Sequence, residues 1–368
     1  MTAPTPRALG ERLLAAFTAA GAVPVEAPVL LPANTLLDLY GEDIRARAYV
    51  TRDPLQGEMM LRPDFTVPVV QRHMAQGAEP ARYAYLGEVF RQQDRPDPAR
   101  AREYLQAGFE VFDRNDPASA DAEVFALFHR LLRPLSPQVV TGDAGLLRAA
   151  IAGLSTTQAR KAALLRHLWR PARFAQLLDR FCGRTPPPPS RRVLLERLRA
   201  EPAAALIAGA GPLTGLRTTE EITARLEALA EDAAAPPLAE GERALLDRLM
   251  SLHAPAPQAL ATLRGLARDH AALTAAADRM EARLDAMAAR GIDPAAVAFE
   301  AGYGLTSLEY YDGFVFGFRA GRNLPPVAVG GRYDALCAIL GGGRSIEAVG
   351  GIIRPAVVAA LGGGLAEC

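Results

Sequence analysis

From about residue 156 to 290 the chain is rich in alanine, leucine and arginine, and glycine is scarce inside its apolar-periodic runs. Such a tract favours helices and offers nothing to a sheet. Breaks fall at the tetraproline 186–189, read as a stiff linker between helices, and at Pro236-Pro237. On both sides lie short β-prone runs separated by turns rich in proline, glycine and aspartate. They cover 58–61, 82–86 and 107–112 before the tract, and 297–300, 310–318 and 327–329 after it. A helical insertion therefore splits one sheet, and the chain divides into a first core part at 1–150, the insertion at 151–295 and a second core part at 296–368. Ahead of the first strands, Leu9, Leu13 and Phe17 recur at helical spacing between Pro6 and Gly21, which predicts an amphipathic helix. An extended segment follows at 23–31, and a closing helix is expected after Pro355.

Half of the 368 residues are apolar, enough for one substantial core and a second smaller one. No segment reaches the roughly 20 apolar residues needed to span a bilayer, and no basic stretch leads into an apolar run, so a soluble cytoplasmic chain is expected. Cys182, Cys337 and Cys368 show no ligand spacing and read as free thiols. The five histidines, His73 among them, lack metal-site spacing and read as structural or exposed, so no metal and no cofactor is expected. Lys161 is the only lysine, which removes candidates for a P-loop or a Schiff base. Arginine plus lysine balance the acids at 41 each, so there is no general field for a polyanion such as tRNA.

Five short elements carry chemistry. In Leu61-Arg-Pro-Asp64-Phe-Thr66 a carboxylate and a hydroxyl two residues apart could face one way and receive an ammonium group. Arg91, at the end of 83–91, offers a planar fork for a carboxylate or phosphate. Gln106, Gly108 and Glu110 alternate onto one strand face, with the glycine leaving room for a small ligand. The fourth element holds Tyr310 and Tyr311. The fifth is Gly330-Gly331-Arg332-Tyr333-Asp334, where the glycines permit close backbone approach.

In order and spacing these elements resemble the core of class II histidyl-tRNA synthetases, whose patterns read LRPEgT, FR after a strand, QxGxE, RGLDYY and GGRYD. The likeness covers roughly 5–135 and 296–360. It implies an α+β fold: a class II aminoacyl-tRNA synthetase-like antiparallel sheet of six or seven strands flanked by helices, with a helical insertion. It also implies a histidine pocket, in which Asp64 and Thr66 hold the α-ammonium, Gln106 and Glu110 contact the ligand, Tyr310 and Tyr311 line the imidazole, and Arg91 completes the set. A carboxylate beside an aromatic wall suits an imidazole, whereas a smaller amino acid would leave Glu110 unpaired.

The catalytic arginines of that family do not carry over. The one opening RGLDYY aligns with Thr306, and the closing Glu-Arg motif aligns with residues 350–357, where Arg354 is shifted and precedes a proline. Adenylation concentrates negative charge on phosphorus, so the loss removes most of its electrostatic stabilisation. The chain also ends where full-length synthetases continue into an anticodon-binding domain, so no tRNA partner is expected.

A histidine-binding synthetase relative without these parts resembles the regulatory subunits of ATP phosphoribosyltransferase. That resemblance implies a non-catalytic subunit that binds L-histidine as effector and activates and feedback-regulates a separate short-form catalytic subunit in the first step of histidine biosynthesis. It also implies a homodimer, through residues near 9–31, inside a larger hetero-oligomer. The competing readings are an active histidyl-tRNA synthetase-like adenylating enzyme, an adenylate enzyme with another acceptor, and a scaffold with a vestigial pocket.

Overall fold

The computed structural model describes residues 4–33, 48–93, 101–212, 214–305 and 311–366, apart from the side chain of Gln76. The chain folds as two units. The first comprises residues 1–146, 251–269 and 273–368, and the second residues 147–250 and 270–272.

The first unit is built on a nine-stranded sheet. Its centre is six antiparallel strands in the spatial order Ala81–Phe90, Glu103–Phe112, Ala348–Ile353, Ala328–Arg332, Phe314–Arg319 and Gln138–Asp143. Each edge adds a parallel pairing, Val23–Pro24 beside Ala81–Phe90 and Ala298–Glu300 beside Gln138–Asp143. His253–Pro255 then closes the far edge in antiparallel register. The sheet is thus mixed at its margins, although its six central strands are antiparallel throughout.

The strands alternate in burial only weakly because helices cover the sheet. Glu103–Phe112 is buried at eight consecutive residues, from Leu105 onward. Helix Pro6–Ala19 starts at an N-cap in which Thr5 Oγ1 accepts from the Ala8 N–H, with Pro6 supplying a pre-set first turn. It stops before Gly21, whose φ of +91° few other residues would tolerate. Leu9, Leu13 and Phe17 on its inner face are fully buried, and Phe17 packs on Phe109 and Phe128 with ring centroids 5.5 and 5.7 Å away. The next cover is helix Pro117–Leu132, capped by Asp116 and packed through Phe125 and Phe128 edge-on against Phe316.

Helix Thr274–Ala289 falls in the stretch read as insertion from sequence, yet it belongs to this first unit. Its Arg283 is buried and bridges two carboxylates, Asp121 at 2.9 Å and Asp143 at 2.8 Å, with the Phe314 ring 4.3 Å beneath the guanidinium. Asp121 accepts again from Arg332 at 2.8 Å. A buried chain of alternating charges therefore ties together a covering helix, a second helix and two strands.

A smaller three-stranded sheet, ordered Leu30–Pro32, Gly57–Leu61 and Val50–Asp53, leads into helix Thr66–Gln76. It delivers residues 62–66 to the main sheet.

The second unit is helical. Phe174, Leu177, Leu178 and Phe181 of helix Pro171–Phe181 are buried, as are Leu164 and, on helix Glu240–Met250, Leu245, Leu246 and Leu249. Helices Pro189–Ala200 and Thr219–Ala234 bury no residue fully. The latter is held at its start by a capping box between Thr218 and Glu221. No helix among the described residues is long and apolar enough to cross a membrane.

Candidate functional site

The central strands bring the chemistry-bearing residues together at Glu110. Strand register sets Glu110 beside Tyr83 on one side and Gly350 on the other. A Cβ at position 350 would overlap the Glu110 carboxylate, so that glycine opens the space into which the side chain turns. Glu110 is buried and accepts three hydroxyl hydrogen bonds: from Tyr85 at 3.0 Å, Tyr333 at 2.7 Å and Thr66 at 3.3 Å. Burial pushes its pKa from the ordinary 4.5 up to about 7, since the charged form loses its hydration. The three hydroxyls pull the value down, and nearby Asp64 raises it further. Tyr333 is pushed well above 10 by its own burial and then by Glu110, which keeps its hydroxyl protonated as a donor.

Asp64 is also buried, and its pKa is raised by desolvation against the opposing pull of Arg91. Arg91 is anchored by its Nε, which donates to the Pro63 carbonyl at 3.0 Å. Thr66 opens helix Thr66–Gln76, so one short turn carries both Asp64 and Thr66 into the cluster. Gln106 lies four residues before Glu110 on the same strand face, 1 % exposed. Its Nε2 reaches Tyr104 at 3.5 Å, and its Oε1 has no hydrogen-bond partner among the described residues. A buried unpaired acceptor of this kind is costly, by about 1–3 kcal/mol. Tyr311 is buried and stands over Gly331, where a Cβ would come within 3.0 Å of its ring. Tyr310 and Thr306 lie outside the described residues.

One feature corrects the reading from sequence. The space above Gly108 is filled by the ring of Tyr85 from the neighbouring strand, with which it is paired in register. That ring is stacked 4.3 Å from Phe65, which in turn lies beneath the Arg62 guanidinium at 4.1 Å. Arg332 of the Gly-Gly-Arg-Tyr-Asp element points into the buried charge chain with Asp121 and Asp334, and not toward Glu110. Tyr85 and Tyr333, which hold the Glu110 carboxylate, were not among the site residues expected from sequence. The only signal for Tyr85 was its alternation with Tyr83 opposite a glycine-bearing strand.

Near the same strands, Arg354 donates to the Pro326 carbonyl. Burial lowers its pKa, an effect opposed by Tyr104, while Arg91 lowers it further. His73 is buried and stacked 4.0 Å from Phe112, with Nδ1 3.1 Å from the Tyr83 hydroxyl, a packing role at the rim of the cluster. No group of three or more His, Cys, Asp or Glu suited to a metal ion occurs among the described residues.

This sheet, with its buried acid–hydroxyl cluster, places the chain in a recognised class: a family model described as histidyl-tRNA synthetase matches residues 1–237 and 219–355. Solved structures agree at the level of fold. One titled an ATP phosphoribosyltransferase regulatory subunit/histidyl-tRNA synthetase, from Bacillus halodurans, superposes with a TM-score of 0.65 at 21 % identity, over 97 % of this chain and 79 % of that one. A histidyl-tRNA synthetase from Nostoc sp. PCC 7120 gives a TM-score of 0.62 at 14 % identity, covering 98 % and 73 % of the two chains. Within the class, sequence narrows the choice. Proteins named ATP phosphoribosyltransferase regulatory subunit from Brucella ovis and Brucella abortus are 36 % identical over 343 residues, 89 % of this chain and 89 % of each relative. The chain belongs to the family of ATP phosphoribosyltransferase regulatory subunits.

Proposed function

We propose that the Glu110 cluster binds L-histidine, and that the chain is the non-catalytic, histidine-sensing partner of a short-form ATP phosphoribosyltransferase catalytic subunit in the cytoplasm. On this reading it activates that subunit in the first step of histidine biosynthesis and transmits feedback inhibition. The observation that carries the proposal is an excess of buried acceptors: the carboxylates of Asp64 and Glu110, and the unpaired Oε1 of Gln106. Histidine brings the matching donors, an ammonium group with three N–H bonds and an imidazole N–H, while Arg91 suits its carboxylate. Tyr311, with Tyr310 beside it in sequence, supplies an aromatic wall.

Adenylation is not part of this proposal. Arg354 is engaged by a backbone carbonyl, and Arg332 is committed to three carboxylates, Asp121, Asp334 and Glu347. Neither is poised to meet a phosphate. Feedback through the site requires histidine to bind two states of the assembly unequally. A homodimer fits the exposure of Val23, Val29 and Leu30, the apolar residues that follow the first helix and remain 44–56 % exposed.

The test is calorimetric titration of the purified chain with L-histidine, beside an ATP–pyrophosphate exchange assay on the same sample. Binding without exchange, followed by histidine-dependent inhibition on adding the catalytic subunit, is the expected result. Exchange would make the chain an adenylating enzyme, and absence of binding in both the free chain and the complex would remove the sensor assignment.

A further inference from the structure

The helical second unit holds a concave site of about 400 Å3 whose chemistry the histidine site does not use. Arg160, Arg180, Arg191, Arg192 and Arg199 line it, against only two acids, Asp232 and Glu196. Asp232 is consumed from both sides: its Oδ1 accepts from Arg160 Nε at 2.7 Å, and its Oδ2 accepts from Arg191. Arg160 is buried and further fixed by the backbone carbonyls of Asp232 and Pro236, at 2.6 and 2.7 Å. These contacts make it part of the wall.

The remaining cations outnumber the acids that face them, Asp232 and Glu196. The side chains of Arg180, Arg192 and Arg199 form no ion pair or hydrogen bond among the described residues, and the Nε of Arg180 is buried without a partner. Arg180 is held over the Phe181 ring at 4.8 Å, with Arg160 over the same ring at 5.1 Å. Arg192, Glu196 and Arg199 follow one stripe of helix Pro189–Ala200, at spacings of four and three residues, so both arginines project along one side of the site. A guanidinium stays charged at any physiological pH, so like charges gathered here repel until an anion separates them.

We propose that this site binds a diphosphate group, free or as part of a nucleotide, between Arg180 and the Arg192/Arg199 stripe. The excess of three arginines over carboxylates matches a multiply charged anion. Guanidinium forks pair bidentately with phosphate oxygens. The volume lies in the range of small-ligand pockets.

The experiment is calorimetric titration of the full chain with inorganic pyrophosphate at physiological ionic strength, with ADP in a second arm. Saturable binding is expected, weakened at least about tenfold by Arg180→Gln and by the pair Arg192→Gln/Arg199→Gln. Arg192 and Arg199 are exposed, so the pair leaves the fold intact, which circular dichroism checks. Binding of ADP alone assigns the site to nucleotides, and binding of both assigns it to the diphosphate group at large. No saturable binding of either overturns the proposal, as does affinity unchanged in both variants. A stem-loop RNA that occupies this face undisplaced by pyrophosphate also overturns it.

Discussion

Replacing Glu110 with glutamine should make the protein more stable at alkaline pH while weakening its hold on histidine. The pKa of Glu110 rises from 4.5 to about 7 on folding, chiefly because burial removes water from the carboxylate. The folded state then binds more protons than the unfolded state between those values, so stability is full below about pH 4.5 and is lost as pH rises through 7. At 1.36 kcal/mol for each tenfold change in proton affinity, the full loss is about 3 kcal/mol above pH 7. Glutamine keeps the shape and carries no charge. Urea denaturation of both proteins at pH 4 and pH 8 should therefore show the variant gaining about 3 kcal/mol on the wild type between the two conditions. The tyrosine hydroxyls can rotate to accept from the new amide, so the stability gap at low pH should be small. Histidine affinity should fall by about 1.5–3 kcal/mol, the worth of a hydrogen bond to a charged group. A stability difference that does not change with pH would refute the assignment of a raised carboxyl pKa. Undiminished histidine affinity would refute the role given to Glu110.

Gly350→Ala places a methyl group on the Glu110 carboxylate, and should cost about 1–3 kcal/mol in stability with loss of histidine binding, read by denaturation and calorimetry. Tyr333→Phe removes the 2.7 Å donor to Glu110 and should destabilise by about 1–3 kcal/mol, more at pH 8 than at pH 5, because the bond is strongest to the ionised carboxylate. Arg283→Met leaves Asp143 without its 2.8 Å partner and Asp121 with Arg332 alone. Urea unfolding should show a loss of about 3–5 kcal/mol, with the far-ultraviolet spectrum of the folded protein unchanged.

The amino-acid pattern determined the local facts. Period-two alternation put Gln106, Gly108 and Glu110 on one strand face, and helical spacing with Pro6 and Gly21 marked the first helix, because both depend only on near neighbours. The ordered elements around Asp64, Thr66 and Arg91 likewise pointed to one cluster. Tertiary structure decided what pairwise register and long-range packing control. Tyr85 reaches Glu110 because its strand pairs it with Gly108, and Tyr333 arrives from a position 223 residues beyond Glu110. Alanine- and leucine-rich periodicity announced helices between 151 and 295, but it could not show that Thr274–Ala289 covers the sheet through Arg283. A buried charge declares its partners only when folding brings the opposite charges within reach, and those partners here lie 140 and 162 residues away along the chain.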